Sequence, residues 1–255
     1  MTSVPVLMYH HVLPKAGFIA SSVEQFEAQM RYLAENGWTT LDSATFARYK
    51  RGELTLPRKS VLITFDDGWK DNYIYAYPIL KRYGLKATLF VVTEWIEKAS
   101  ENPEIFEALP HRACKRTVPI HPGKILLRWE ELETMRDHFD IHSHTHSHRD
   151  GYFGDSYSWD EEFALSRELL QKRLGIESDQ LCWPRGIYDS SLQSRAHQAG
   201  FAILYTTRRG VNRSDGESSA IRRLAAKKDA RWLKKNLEIF SRTIPGTLYA
   251  AVKPE

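Results

Sequence analysis

Hydrophobic residues along the chain follow two alternating rhythms. Short, nearly continuous apolar runs recur between longer stretches in which apolar positions return every three or four residues, the pattern of a parallel sheet with crossover helices. Residues 4–9 predict a first strand. Over 22–36 the apolar positions Val23, Phe26, Met30 and Leu33 share a helical face, with Ser22 as its cap and Gly37 as its terminator. Residues 38–41 predict a second short strand, and 60–65 an apolar strand that runs into Asp66, Asp67 and Gly68. A helix is expected over 72–83, closed by Gly84, and a strand over 87–92. Beyond a break, helices are expected at 129–138, 160–174, 190–199 and 232–240, and strands at 139–143, 181–183, 201–205 and 221–225.

About seven strand and helix alternations favour a distorted (β/α)7, TIM-like barrel of α/β class over an open sheet, and the notable polar residues fall just after strands, where such folds collect their active sites. Residues 1–255 are expected to form a single domain. Between 94 and 123 the periodicity fails and Pro103, Pro110, Pro119 and Pro122 interrupt it, which predicts an insertion near the site.

Composition changes this picture little. Hydrophobic residues make up 42% and charged residues 27%, as in an ordinary soluble domain. A net charge of +4, with the basic residues scattered, gives only a weak pull toward anionic partners and no nucleic-acid signature. No apolar run nears the roughly 18 residues of a membrane span, and the first five residues lack the form of a secretory signal, so a cytoplasmic location is expected. Cys114 and Cys182 have no ligand spacing and read as free thiols.

Chemistry concentrates at two places. Asp66 and Asp67 are adjacent carboxylates at a strand end, costly together unless something positive neutralises them, although Asp-Gly also makes a common solvated turn. Histidines occupy positions 142, 144, 146 and 148. A turn of helix beginning near His144 would bring His144 and His148 together as a metal-gripping pair, with His142 and His146 as supports or bystanders. One carboxylate and two imidazoles suit a single divalent cation, zinc first, with cobalt, nickel or iron also fitting. Such a set leaves coordination positions open for catalysis, and frees the second carboxylate to act as a base toward water.

The run Thr64-Phe65-Asp66-Asp67-Gly68, the run from His144 to His148, and Trp183-Pro184-Arg185-Gly186-Ile187-Tyr188 resemble, in order, the three leading motifs of the polysaccharide deacetylases of carbohydrate esterase family 4, the NodB-homology enzymes. Residues 6–10 and 77–92 further resemble the branch that contains the poly-N-acetylglucosamine deacetylases. The resemblance implies that Asp66 is the general base, that Asp67, His144 and His148 hold the metal, and that His10 protonates the leaving amine, with His11 as the fallback. It also implies an oxyanion contact from the backbone N–H at Arg185, where relatives carry an aromatic residue. The Arg185 side chain is then free to meet an acidic group on the substrate, while Trp183, Pro184 and Tyr188 become substrate contacts. In the 221–224 run, Arg223 would pair with Asp66 and hold it ionised.

The implied partner is an N-acetylated sugar or polysaccharide. Tyr152, Phe153, Tyr157 and Trp159 suit either sugar stacking or core packing. The helix with Trp232, Leu233, Leu237 and Phe240 suits either core packing or peripheral contact with a membrane surface. Two other functions stay open on the sequence: removal of a formyl or other acyl group from a lipid-linked sugar, and a catalytically silent sugar-binding module on the same fold.

Overall fold

Strands buried on both faces need no alternation, and the apolar runs at 6–9, 61–65 and 87–91 show none. The computed structural model describes residues 2–252. Its strands are β1 (Val6–Tyr9), β2 (His11–Leu13), β3 (Ala20–Ser22), β4 (Thr39–Thr40), β5 (Ser60–Asp67), β6 (Ala87–Val91), β7 (Phe139–Ser143), β8 (Gln180–Cys182), β9 (Ile203–Tyr205) and β10 (Leu224–Ala225). The main sheet is parallel in the order β10-β1-β5-β6-β7-β8-β9, with β4 added beside β5. The ring closes because Tyr205 of β9 bridges Ile221 while Leu224 of β10 pairs with Leu7 of β1. The result is a distorted (β/α)7 barrel. Outside it, β2 and β3 form a separate parallel pair.

Helices fill the connections: α1 (Val23–Glu35), α2 (Ser43–Lys50), α3 (Tyr77–Tyr83), α4 (Thr93–Glu101), α5 (His111–Thr117), α6 (Pro122–Ile125), α7 (Trp129–Met135), α8 (Trp159–Leu174), α9 (Ser190–Gln198), α10 (Ala230–Phe240) and α11 (Thr243–Val252). The cap of α1 is the expected one, Ser22 accepting from the Gln25 amide while the Gln25 side chain accepts from Ser22. Apolar side chains of α1, α3, α7 and α10 pack on the barrel strands; Leu233, Leu237 and Phe240 are fully buried there. The apolar face of α10 is therefore core and not a membrane surface. Among the described residues no helix is long and apolar enough to cross a membrane.

Two expectations need correction. The helix expected over 72–83 opens as a wider π turn, Asn72–Ala76, before α3 begins. Residues 94–123, where no period was legible, hold most of α4, all of α5 and the start of α6. Helix α4 follows β6 as an ordinary crossover helix and buries Trp95, Ile96 and Ala99. Helices α5 and α6 are too short for a period to emerge between the prolines.

Candidate active site

The strand ends β1, β5 and β7 bring the chemistry together. Asp67 ends β5 in the left-handed region (φ 79) and is followed by Gly68 (φ 93). The left-handed conformation at Gly68 favours glycine, and a Cβ there would also press on the Ile96 side chain of α4. The turn leaves the two aspartates with different partners. Asp66 takes the Arg223 guanidinium on both oxygens, at 2.7 and 2.8 Å. Asp67 accepts the Trp69 indole N–H on Oδ2 at 2.8 Å, leaving Oδ1 toward two imidazoles: His144 Nε2 at 3.3 Å and His148 Nε2 at 3.7 Å.

The histidine loop is not the turn of helix the spacing suggested. It runs through left-handed residues at Thr145 (φ 68) and His148 (φ 56), and other groups hold it in place. The first amides of α4 donate to it, Thr93 N to Thr145 O and Glu94 N to His146 O. The buried Glu162 of α8 accepts from the His146 and Ser147 amides, both at 2.8 Å, and from the Ser147 hydroxyl. His142 points elsewhere, to Ser43 and Ser178, and His146 bonds Thr93 Oγ1.

Can these residues hold a cation? The outer nitrogens of both imidazoles are committed, His144 Nδ1 donating to Cys182 O at 2.7 Å and His148 Nδ1 to Asp150 Oδ2 at 2.8 Å. In its neutral form each ring turns its Nε2 lone pair inward; burial lowers the His144 pKa, but Cys182 and Asp67 outweigh it and raise it well above its ordinary value, a demand for positive charge at this point that a cation would meet. Asp67, His144 and His148 thus offer one donor atom each within 4.8 Å of one another. Three lone pairs facing each other in a buried place repel unless a positive charge lies among them, and outer partners that fix the tautomer are the usual support of metal-binding histidines. The donor set fits a divalent metal.

Electrostatics separates the two carboxyls from their surroundings. Burial pushes Asp66 up, but the charge and hydrogen bonds of Arg223 outweigh it and hold the carboxyl below its ordinary value. For Asp67 burial acts the same way, and the His144 hydrogen bond with the nearby histidine charges carries it well below. His10 Nε2 lies 3.8 Å from Asp66 Oδ2. Burial lowers its pKa and the two aspartates oppose that. His148 is pushed down to about 3, chiefly by burial.

Other expected residues sit differently. The Arg185 side chain pairs with Asp150, the carboxylate that also holds His148, so it is engaged within the protein and not left for an acidic substrate group. Trp183 and Pro184 are buried. The Trp183 ring packs on Trp159, Phe163 and Tyr188 and has no face for a sugar; Tyr188 alone of the three is partly exposed. Tyr152 and Phe153 pack beside Trp95, and Tyr157 against His146. His11 is fully buried and paired with Asp71.

Asp150, Glu162 and Cys182 were missed from sequence. Asp150 stands two residues past His148 and could have been found by asking what orients that ring. The Cys182 sulfur lies 3.0 Å from Arg223 Nη2 and its carbonyl holds His144, contacts that only the fold creates.

A barrel with a histidine and carboxylate cluster at the C-terminal ends of its strands has the layout of a barrel hydrolase. The chain belongs to the polysaccharide deacetylase family, whose model matches residues 53–204. It is 28% identical to the Bacillus subtilis protein YxkH over 222 residues, 87% of this chain and 70% of that protein. To the poly-beta-1,6-N-acetyl-D-glucosamine N-deacetylase of Escherichia coli K12 it is 29% identical over 98 residues, 37% of this chain but only 15% of that protein. Among solved structures it superposes on the Streptococcus pyogenes deacetylase PplD, determined with acetate, with a TM-score of 0.75 at 22% identity, covering 94% of this chain and 98% of that one.

Proposed function

We propose that this chain is a zinc-dependent hydrolase that removes the acetyl group from an N-acetylated amino sugar in a polysaccharide or a glycan precursor. The observation that carries the reading is the convergence of Asp67 Oδ1 with His144 Nε2 and His148 Nε2, both rings fixed from behind. Membership of the deacetylase family and the local similarity to a poly-N-acetylglucosamine deacetylase support the substrate class.

Two imidazoles and a carboxylate would hold zinc with a position open, and a cation there would polarise the acyl carbonyl and acidify a water. The remaining chemistry belongs to the chain. Asp66, kept ionised by Arg223, accepts a proton from the water as its oxygen bonds to the carbonyl carbon. Negative charge gathers on the former carbonyl oxygen, to which we assign the Arg185 backbone N–H as a donor. His10, within reach of Asp66, supplies the proton to the sugar nitrogen as the carbon–nitrogen bond breaks. Acetate and a free amine leave. Tyr188 is assigned to the sugar.

The test is acetate release from N-acetylglucosamine oligomers by the zinc-loaded protein. Asp66→Asn should lose turnover while retaining zinc by elemental analysis, and His144→Ala should lose both. A fully active Asp66→Asn variant would overturn the assignment of the base.

A further inference from the structure

Beside the site lies a second histidine system that the reaction does not use. His11 on β2 is fully buried and donates from Nδ1 to Asp71 Oδ2 at 2.7 Å, while the other Asp71 oxygen takes the Val12 amide at 2.7 Å. His11 stacks on Trp69, with ring centroids 4.5 Å apart. Its Nε2 meets His111 Nδ1, at the start of α5, at 3.1 Å. His11 Nδ1 is held by Asp71, and its Nε2 shares one hydrogen with His111 Nδ1. This bond fixes the His111 ring and leaves its other nitrogen, Nε2, to meet a ligand. Burial lowers the pKa of His111 to about 4, which keeps the ring neutral near pH 7.

His111 lines a cavity of about 580 Å³. The opposite wall is the loop between β2 and β3, whose Phe18 is 73% exposed and lies 5.9 Å, ring to ring, from His111. The same loop walls a neighbouring cavity of about 450 Å³ on its other side, and that cavity contains His10. An exposed aromatic face next to an oriented imidazole nitrogen is what a sugar ring requires, since its C–H face stacks on the aromatic ring and its hydroxyls donate or accept.

We propose that Phe18 and His111, the latter held by the Asp71–His11 pair, form a subsite for a neighbouring sugar unit, so that the enzyme selects glycans longer than one residue. This deepens the deacetylase reading and rests on it. The cavity beside His10 receives the ring to be deacetylated, and the one beside His111 receives the next ring of the chain. Helix α5 thereby gains a function in substrate length selection.

The test compares N-acetylglucosamine with its tetrasaccharide. Wild-type protein should show a higher kcat/KM for the tetrasaccharide, and Phe18→Ala and His111→Ala should each lower that ratio about tenfold, the loss of one stacking or hydrogen-bonding contact. Phe18→Tyr, which keeps the ring, should restore the ratio. Calorimetry of tetrasaccharide binding to Asp66→Asn, with and without Phe18→Ala, reads the subsite without turnover, and a tenfold weaker Kd is expected. An unchanged ratio and Kd in both variants, or no preference for length in the wild type, would overturn the subsite. Absence of acetate release from every sugar, with Phe18-dependent binding intact, would instead defeat the deacetylase reading alone.

Discussion

Asp66 and Arg223 are both buried, and each offsets the other's charge. Removing one partner of such a pair leaves an uncompensated buried charge, at a cost of about 3–5 kcal/mol. Arg223→Met should therefore unfold at markedly lower denaturant than wild type. Adding Asp66→Asn to it should recover part of the loss, because the orphaned charge is gone; a double variant less stable than Arg223→Met would show that the arginine acts through Thr206 or Cys182 instead. Asp150 offers a subtler case. It orients His148 through Nδ1 and also collects Arg185 and Lys115. Asp150→Asn weakens the acceptor that fixes the ring, and zinc affinity should fall about 10–100-fold, measured by competition with a chelator. Unaltered affinity would mean that packing alone orients His148.

Helix α4 shows how an element can be invisible in sequence and still build the site. Its first amides hold the histidine loop, yet its apolar residues Trp95, Ile96 and Ala99 merge with a proline-interrupted segment that blurs the period. Strands β1, β5 and β6 were legible because each is a dense apolar run, β7 because Phe139 and Ile141 alternate with polar residues, and α1 because Ser22 and Gly37 punctuate it. The site was legible as residue types, two aspartates and a histidine run, but the loop geometry was not: left-handed Thr145 and His148 are stabilised by Glu162, a residue on a different element whose role no local spacing announces. Strands β2 and β3 escaped notice because Ala20-Ser21-Ser22 carries no apolar run and His11-Val12-Leu13 follows β1 after a single residue. Glu94 in the first turn of α4 gives a pH prediction. Burial, with the charges of Asp155 and Glu162, raises its pKa to about 7 from 4.5, against a weaker pull from Lys98 and the Tyr157 hydrogen bond. The folded chain thus keeps a proton that the unfolded chain has lost between those values, so this contribution to stability is complete below pH 4.5 and is lost as pH rises through 7. Glu94→Gln cannot titrate. Denaturant midpoints at pH 5 and pH 8 should differ less in Glu94→Gln than in wild type, by roughly 1–3 kcal/mol; parallel losses in both would show that Glu94 stays ionised when folded.

Over the whole molecule, the three clustered donors Asp67, His144 and His148 tie together parts of the chain far apart in sequence. Asp67 ends β5, in the early part of the barrel, and His144 and His148 follow β7, near its middle, with the ring closed only by β10 and its bridge to β9. Unfolding scatters these donors, so a cation that binds them binds the native state almost exclusively and stabilises the entire cooperative unit. At a free concentration one hundred times its Kd the gain is about 2.7 kcal/mol. In a chain of 255 residues, each kcal/mol moves Tm by about 2–4 °C. Zinc should therefore raise the melting temperature of chelator-treated protein by about 5–10 °C, a rise that scanning calorimetry reads without any substrate. His144→Ala removes one donor of three and should lose nearly all of that rise, whereas Asp66→Asn, which leaves the donor set whole, should keep it. A rise that persists in His144→Ala would put the stabilising cation at another place in the barrel and detach the histidine loop from metal binding altogether.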